Sequence, residues 1–322
     1  MKNTILCLSI LAVGLLSALT QTTVLAQVTV LEGFTVEVYA ENVPMPNALS
    51  FDSQGNLYVA HDEVRRGQIY KISPGGLNIS LFGPSIMDPD SVAVDLLDYI
   101  FVGSEEGLYR VAPDGTSEPF TSTYMGNNTC LIIDDAGLFG QFGDIFVGNA
   151  RSYYDIVTVK PDRQAYQFVS DSVLEIPFGL AFDDVGYLYA AESSMEVEDV
   201  RGLYRITKNG EVSLFVRLTR PYSVAFNKIQ RELYVGDIGD NIVYKVSLDG
   251  EVTTFAENIS PFGLTFGPDG SLYVSDRSTS PHRILRIKKS CEGDFDLDGD
   301  VDGSDLAVFA ADFGRTDCPP CQ

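Results

Sequence analysis

Hydrophobic and polar positions along the chain alternate in a unit that recurs six times. Each copy has a short apolar run, a polar turn and a second apolar run, as in NALSFDSQGNLYVAHD from Asn47 and FGLTFGPDGSLYVSD from Phe262. The aromatic residues of the second runs are Tyr58, Phe101, Phe146, Tyr189, Tyr234 and Tyr273, with gaps of 43, 45, 43, 45 and 39. A period of this length is typical of the four-stranded blade of a β-propeller.

Each copy resolves into four short strands separated by Gly, Asp, Asn or Pro turns. In the fifth copy the predicted strands are Ser223–Phe226, Glu232–Val235, Ile242–Val246 and Val252–Phe255. The third strand recurs as QIYKI, GLYRV, DIVTV, GLYRI, IVYKV and RILRI. No helical period interrupts residues 30–288, so the pattern predicts an all-β, six-bladed propeller.

The sixth copy has no fourth strand after Arg283–Ile287, and the N-terminal region supplies a spare one. The stretch FTVEVYAENVPMPNALSF from Phe34 aligns with VTTFAENISPFGLTF from Val252 as outer strand, turn and inner strand. We therefore expect Phe34–Ala40 to complete the sixth blade and close the ring, which removes the open sheet edges.

The first 26 residues have the composition of a secretory signal peptide. They carry one charge (Lys2), an apolar run from Ile5 to Leu19 and the small-residue ending Val24-Leu25-Ala26. We predict a signal peptide at 1–26, a propeller at 27–290, a separate module at 291–322, and a secreted, extracellular protein without a membrane span. The net charge of −23 makes nucleic acid and anionic membranes poor partners.

Two rings of side chains are expected at one mouth of the channel, because the start of the innermost strand (A) and the end of the next strand (B) lie together in an antiparallel blade. The first ring consists of Asn47, Asp90, Thr129, Phe178, Tyr222 and Phe262. The second consists of His61, Ser104, Asn149, Glu192, Asp237 and Asp276. The first ring is polar over three blades and aromatic over the other three, which would suit a sugar or lactone ligand.

The G-L-x-F-x-x-x-G-x-L-Y-V-x-D units resemble those of the NHL-repeat and SMP-30/gluconolactonase group of six-bladed propellers over residues 32–288. The resemblance implies a divalent metal in the channel, with Asn47, Asp90 and Asn128 in positions similar to the group's ligands. It also implies substrate contacts by Asn47, Asp90, Phe178, Tyr222 and Phe262. Glu192, Asp237 or Asp276 would then activate water for hydrolysis of a lactone or sugar-derived ester.

Other roles for the same residues stay open. Asp237 and Asp276 suit hydrogen bonds to turn amides within their own blades, and the three aromatic residues suit a plug that fills the channel. The segment Gly33-Phe34-Thr35-Val36-Glu37 also looks like the opening of quinone-dependent sugar dehydrogenases, which implies a histidine base; His61 is the histidine at the mouth.

The last 32 residues contain a calcium-loop motif. Within CEGDFDLDGDVDGSDLAVFAADF, from Cys291, the loop positions that would hold Ca²⁺ are Asp294, Asp296, Asp298, Asp300, Asp302 and Asp305. A helix is predicted over Asp305–Phe313. The loop and its following helix resemble one dockerin repeat, which implies a cohesin-like or cell-surface partner. We expect Cys291 to pair with Cys318 or Cys321, and Cys130 to be a buried free thiol.

Two functions are compatible with these sequence features. In the first, the protein is a non-catalytic binding propeller that is tethered or displayed through its tail. In the second, it is a metal-dependent hydrolase of lactones or sugar-derived esters at the channel mouth.

Overall fold

The computed structural model describes residues 27–61, 66–121, 127–150, 156–169, 174–194, 198–290, 293 and 303–312. Strands β1 (Thr29–Val30) and β2 (Phe34–Glu41) precede the first blade. Blade 1 contains β3 (Pro46–Phe51), β4 (Leu57–His61), β5 (Arg66–Ile72) and β6 (Ile79–Met87). Blade 2 contains β7 (Ser91–Val94), β8 (Ile100–Ser104), β9 (Gly107–Val111) and β10 (Ser117–Pro119). Blade 3 contains β11 (Asn127–Asp134), β12 (Asp144–Ala150), β13 (Ile156–Val159) and β14 (Ala165–Val169).

The remaining blades follow in the same order. Blade 4 contains β15 (Pro177–Phe182), β16 (Leu188–Glu192), β17 (Gly202–Ile206) and β18 (Val212–Val216). Blade 5 contains β19 (Pro221–Asn227), β20 (Glu232–Asp237), β21 (Ile242–Ser247) and β22 (Val252–Glu257). Blade 6 contains β23 (Pro261–Phe266), β24 (Leu272–Asp276) and β25 (Arg283–Lys289). Short 3-10 turns occur at Pro74–Gly76 and Glu198–Val200, and helix α1 spans Gly303–Asp312.

The predicted six-bladed, all-β propeller is confirmed, including its closure. Strand β2 pairs antiparallel with β25, with Val36 opposite Ile287, so the N-terminal segment forms the outer strand of blade 6. Within each described blade, neighbouring strands are antiparallel, and the six inner strands contact one another in a closed ring. One strand was not predicted: β1 pairs with β22 and adds a fifth strand to blade 5.

The core of the described structure consists of apolar layers between neighbouring blades. In the layer between blades 5 and 6, Phe255 makes edge-on contacts with Phe34 and Tyr234, at ring-centroid distances of 4.9 and 4.8 Å. The strand-B aromatic residues that defined the sequence period are all buried in such layers. The repeat is therefore a packing unit, because each blade covers the apolar face of the next.

The described part of the chain has no helix that is long and apolar enough to cross a membrane. Cys130 is a free, buried thiol, as expected. The other cysteines for which a pairing was predicted lie outside the described residues.

Candidate functional site

Strand register brings the two predicted rings to one face of the propeller, which we call the mouth face. Pro177, at the start of β15, lies opposite Glu192 at the end of β16. The same pairing joins Pro221 to Asp237 and Pro261 to Asp276. The starts of A strands and the ends of B strands thus meet at this face, as the blade topology predicts.

A β-bulge follows the proline in several A strands and turns one side chain out of the ladder. Register shifts between Pro177 and Gly179, and between Pro261 and Gly263, leave Phe178 and Phe262 at the bulges. Bulges are a common device for redirecting a side chain near a binding site. Glycine follows the aromatic residue because a Cβ at position 179 or 263 would collide with the backbone of the neighbouring inner strand.

The three aromatic residues of the first ring pack against one another. Phe178 and Tyr222 stack with their centroids 4.3 Å apart and an interplanar angle of 18°, and Phe262 lies 4.8 Å from Tyr222. The guanidinium of Arg277 covers Phe262 at 3.9 Å from the ring centroid. This arrangement favours a plug across one half of the mouth, because the rings use much of their surface on each other.

The polar half of the mouth links neighbouring blades through side-chain hydrogen bonds. Asn47 Nδ2 donates to the Asp90 carbonyl at 3.1 Å, and Ser275 Oγ donates to the Asn47 carbonyl at 2.6 Å. Ser91 Oγ donates to the Asn128 carbonyl at 3.2 Å, and Thr129 Oγ1 donates to the Pro177 carbonyl at 2.6 Å. Asn47 and the backbone of Asp90 therefore have a clear structural task in joining blades.

The three carboxylates proposed as catalytic bind backbone amides of their own blades. Asp237 accepts hydrogen bonds from the amides of Arg220, Gly239 and Asp240 at 2.8–3.1 Å. Burial raises the pKa of Asp237, while these amides act in the opposite direction. The carboxylate thus ties the segment before strand A to the loop after strand B.

Glu192 and Asp276 occupy the equivalent positions and make equivalent bonds. Glu192 accepts from the amides of Ile176 and Ser194, each at 2.9 Å, and burial raises its pKa to about 7. Asp276 accepts from the amide of Ser260 at 3.0 Å and from Arg283 Nε at 2.8 Å. Glu192, although it departs from the repeated Asp, is bound in the same way as its two counterparts.

His61, the fourth catalytic candidate, is buried at the end of β4. Its ring lies 5.5 Å from the ring of Tyr70 and fills the space above Gly67, where a Cβ would collide with the imidazole. It is packed within blade 1 and does not line the central cavity described below.

The channel metal expected from the sequence would have to use residues such as Asn128. Asn128 is fully buried; its Nδ2 donates to the Ser104 carbonyl at 3.1 Å, and its Oδ1 has no hydrogen bond among the described residues. That oxygen suits a hard cation, which takes six to eight oxygen ligands. Across the described ranges, however, no three His, Cys, Asp or Glu residues come together to hold a metal. A channel metal thus stays a prediction, with Asn128 Oδ1 as the buried oxygen that lacks a partner among the described residues.

The central channel contains a cavity of about 970 Å³. Its mouth end is lined by Asn47, Thr129, Phe178 and Phe262, and its walls by the inner-strand residues Leu49, Leu131, Leu180, Val224 and Leu264. None of His61, Glu192, Asp237 and Asp276 is among the lining residues, and neither are Asp90 and Tyr222. Of the predicted substrate contacts, the structure thus brings Asn47, Phe178 and Phe262 to the cavity.

The cavity opens at the opposite face, which carries the turns between strands A and B and which we call the turn face. Lining residues at this end are exposed: Leu96 is 65%, Leu138 47% and Ile229 88% exposed. The residues at the other end are half-buried or buried. The residues predicted from the sequence all belong to the mouth face, and none belongs to the turn face. The recurrence of the A–B turns with the same period as the strands was the signal that could have pointed to it.

Of the six predicted calcium ligands, the structure describes only the last, Asp305. Asp305 is buried near the start of α1, at 2% exposure. Asp294, Asp296, Asp298, Asp300 and Asp302 lie outside the described residues. The calcium site and its dockerin-like partner interface stay predictions from the sequence.

Solved structures with the same fold are similar to this chain at low sequence identity. A gluconolactonase from Xanthomonas campestris has a TM-score of 0.65 at 13% identity, over 80% of this chain and 90% of that chain. The PQQ domain of pyranose dehydrogenase from Coprinopsis cinerea has a TM-score of 0.58 at 15% identity, over 81% and 97%. Virginiamycin B lyase from Staphylococcus aureus has a TM-score of 0.55 at 15% identity, over 78% and 87%. These similarities show the propeller fold.

No family model matches the sequence, and no curated protein matches it.

Proposed function

We propose that this protein is a secreted binding propeller that takes a small ligand into its central channel and is tethered through a calcium-binding C-terminal module. One observation carries the proposal. The channel holds a cavity of ligand size, whereas the carboxylates that would perform catalysis are bound to backbone amides outside its lining. Ligand sites commonly have volumes of about 300–1,000 Å³ and largely apolar walls.

The wall chemistry supports a ligand with an apolar body. Leucine and valine side chains of the inner strands line the cavity, and Phe178 and Phe262 cover its mouth end. A sugar-derived or lactone ligand would use the polar groups at that end, where Asn47 and Thr129 are located. The tail would supply attachment, through the calcium loop at Asp294–Asp305 and a cohesin-like or cell-surface partner.

Metal stoichiometry tests the calcium part of the proposal. The full secreted chain is dialysed against calcium, and its metal content is compared with that of Asp298→Ala by elemental mass spectrometry. One ion in the parent and none in the variant are expected if calcium binds only in the tail. Two ions in the parent and one in the variant would indicate a second metal site outside the loop, for which the channel is the candidate. Equal contents in both chains would contradict the predicted loop site.

The second candidate, a metal-dependent lactonase, is favoured by the buried, unpaired Oδ1 of Asn128 and by the fold shared with a gluconolactonase. This candidate function predicts that the protein hydrolyses a lactone and that the hydrolysis depends on Asn47 and Asp90. Asn47→Ala also removes the blade-joining hydrogen bond from Asn47 Nδ2 to the Asp90 carbonyl. It is therefore measured beside Asp90→Asn, which keeps that carbonyl, and each variant is first checked for an unchanged melting temperature. Steady lactone turnover that these changes abolish would replace the binding proposal with the enzyme.

A further inference from the structure

The turn face carries a third ring of side chains, which we call the turn ring. In each A–B turn, the second residue occupies an equivalent position. The six residues are Ser53, Leu96, Asp135, Asp184, Lys228 and Pro268. All except Ser53 line the cavity. The turn ring therefore frames the opening through which a ligand would enter.

Most carboxylates near this opening already have partners. Asp134 accepts from the amides of Leu138, Phe139 and Gly140, and Asp183 accepts from three amides of its own turn. Asp184 forms an ion pair with Arg231 at 2.8 Å, and Asp269 forms one with Arg286 at 2.6 Å. These four groups maintain the turns and have little capacity left for a ligand.

Asp135 differs from them. It lines the cavity and is half-buried, and among the described residues its carboxylate makes no hydrogen bond and no ion pair within 4 Å. Burial, followed by the nearby carboxylate of Asp95, raises its pKa to about 6; Lys228 acts in the opposite direction and Asp134 adds to the rise. Its negative charge is thus held in an unfavourable place without a direct partner, which is the situation that a bound cation would relieve.

Exposed apolar side chains lie on the same face as Asp135. Exposed side chains of the A–B turns in blades 2–5 form what we call the apolar collar, which consists of Leu96, Leu97, Leu138, Phe142, Val185 and Ile229. Leu96, Leu138 and Ile229 of this set line the cavity. Apolar residues gathered at an opening mark binding surfaces, whereas singly scattered ones are ordinary surface. The cavity wall beyond it is also apolar.

From this combination, and resting on the proposed binding function, we infer that the channel ligand is an amphiphilic organic cation. It enters at the turn face, places its ammonium group against the carboxylate of Asp135, and packs its apolar body against the collar and the leucine-lined wall. Lys228 is the cationic member of the turn ring and could compete with the ligand's ammonium group for Asp135. It is exposed, on a flexible stem, and stands on blade 5 rather than blade 3.

Three probes of matched shape test the inference by calorimetry on the full chain at pH 7.5: 2-phenylethylamine (cation), 2-phenylethanol (neutral) and 3-phenylpropanoate (anion). The amine is expected to bind at least about tenfold more tightly than the alcohol, the size expected for one charge-assisted hydrogen bond. Asp135→Asn, which keeps the side-chain shape, is expected to remove this difference. Asp249→Asn is the matched control, because it makes the same charge change at an exposed turn residue outside the cavity.

Other outcomes separate this inference from the proposed function. Equal binding of amine and alcohol, or preferred binding of the anion, would overturn the cation inference but leave a ligand-binding channel. A tenfold preference that survives in Asp135→Asn would place the cation elsewhere and also overturn it. Failure of all three probes to bind would count against both the inference and the proposed channel function. Thermal unfolding of each variant establishes that a loss of binding is not a loss of fold.

Discussion

The most direct test of the mouth-face carboxylates is the replacement of Asp237 by alanine. If Asp237 is a catalytic group, its removal should abolish an activity and leave the fold stable. If it ties loops together, the same change should lower stability. The structure predicts the second result, because both carboxylate oxygens accept backbone hydrogen bonds from two different loops.

The magnitude follows from the number of amides left without an acceptor. Three backbone N–H groups, of Arg220, Gly239 and Asp240, lose their partner. Each unsatisfied, partly buried amide costs about 1 kcal/mol or more. Part of that cost is offset because the alanine variant no longer buries a charge whose pKa is raised by burial. We expect a net loss of about 2–3 kcal/mol for Asp237→Ala. Asp237→Asn keeps one acceptor oxygen, so we expect about 1 kcal/mol.

Urea unfolding, followed by circular dichroism, measures these losses, with Asp249→Ala as the control. Asp249 is exposed in a turn, and its carboxylate makes no hydrogen bond among the described residues. The control should unfold within about 0.5 kcal/mol of the parent. An Asp237→Ala chain with parental stability that has lost ligand binding or lactone turnover would refute the structural assignment of this carboxylate.

Three further predictions concern closure, a thiol and a titration. Removal of residues 27–41 exposes the edge of β25, so we expect oligomers or aggregates in light scattering; a stable monomer would contradict the role of β2 in closing the ring. Burial raises the pKa of Cys130 to about 12, so peptide mapping after iodoacetamide treatment should find Cys130 labelled only in unfolded chains, and rapid labelling of the native chain would refute its burial. Because the pKa of Glu192 is raised to about 7, the folded state holds a proton that the unfolded state releases. The unfolding free energy should therefore fall as pH rises from about 4.5 to about 7, by up to about 3 kcal/mol, and Glu192→Gln should flatten this dependence; identical pH profiles would show that Glu192 is not the cause.

Much of the fold could be predicted because the repeat is a packing unit. The six strand-B aromatic residues recur at the blade period, and each is buried between blades. The closure by Phe34–Ala40 was predictable because an outer-strand sequence was present at the N-terminus and missing from the last copy. Strand β1 was not predictable in this way: Thr29 and Val30 are too few residues for a period, and their pairing with Glu257 and Ala256 depends on tertiary structure.

The site was only partly predictable, because register fixes which side chains share a face but not what they bind. Asn47, Phe178 and Phe262 do reach the channel cavity. Asp237 and Asp276 share the same face, yet their oxygens point to amides of the adjoining loops. A pattern of residue types cannot tell a carboxylate aimed at a ligand from one aimed at a backbone amide of its own blade.

The two faces of this propeller therefore differ in how freely their residues can be exchanged for function. At the mouth face, Asn47, Thr129, Glu192, Asp237 and Asp276 hold blades or loops together, so a change made for ligand chemistry there also costs stability. In blades 1–4 the residue at the start of the turn is an Asp that carries backbone hydrogen bonds, as Asp134 does beside Asp135, whereas blades 5 and 6 have Asn227 and Gly267 there. The second residue of the turn is thereby relieved of that task, although Asp184 pairs with Arg231 and Ser53 bonds to Asp98. This agrees with the presence of Ser, Leu, Asp, Lys and Pro at equivalent positions around the opening. The turn ring frames the cavity entrance, and its side chains are less involved in holding blades and loops together than those of the mouth face. For this reason we propose that ligand selection takes place at the turn face.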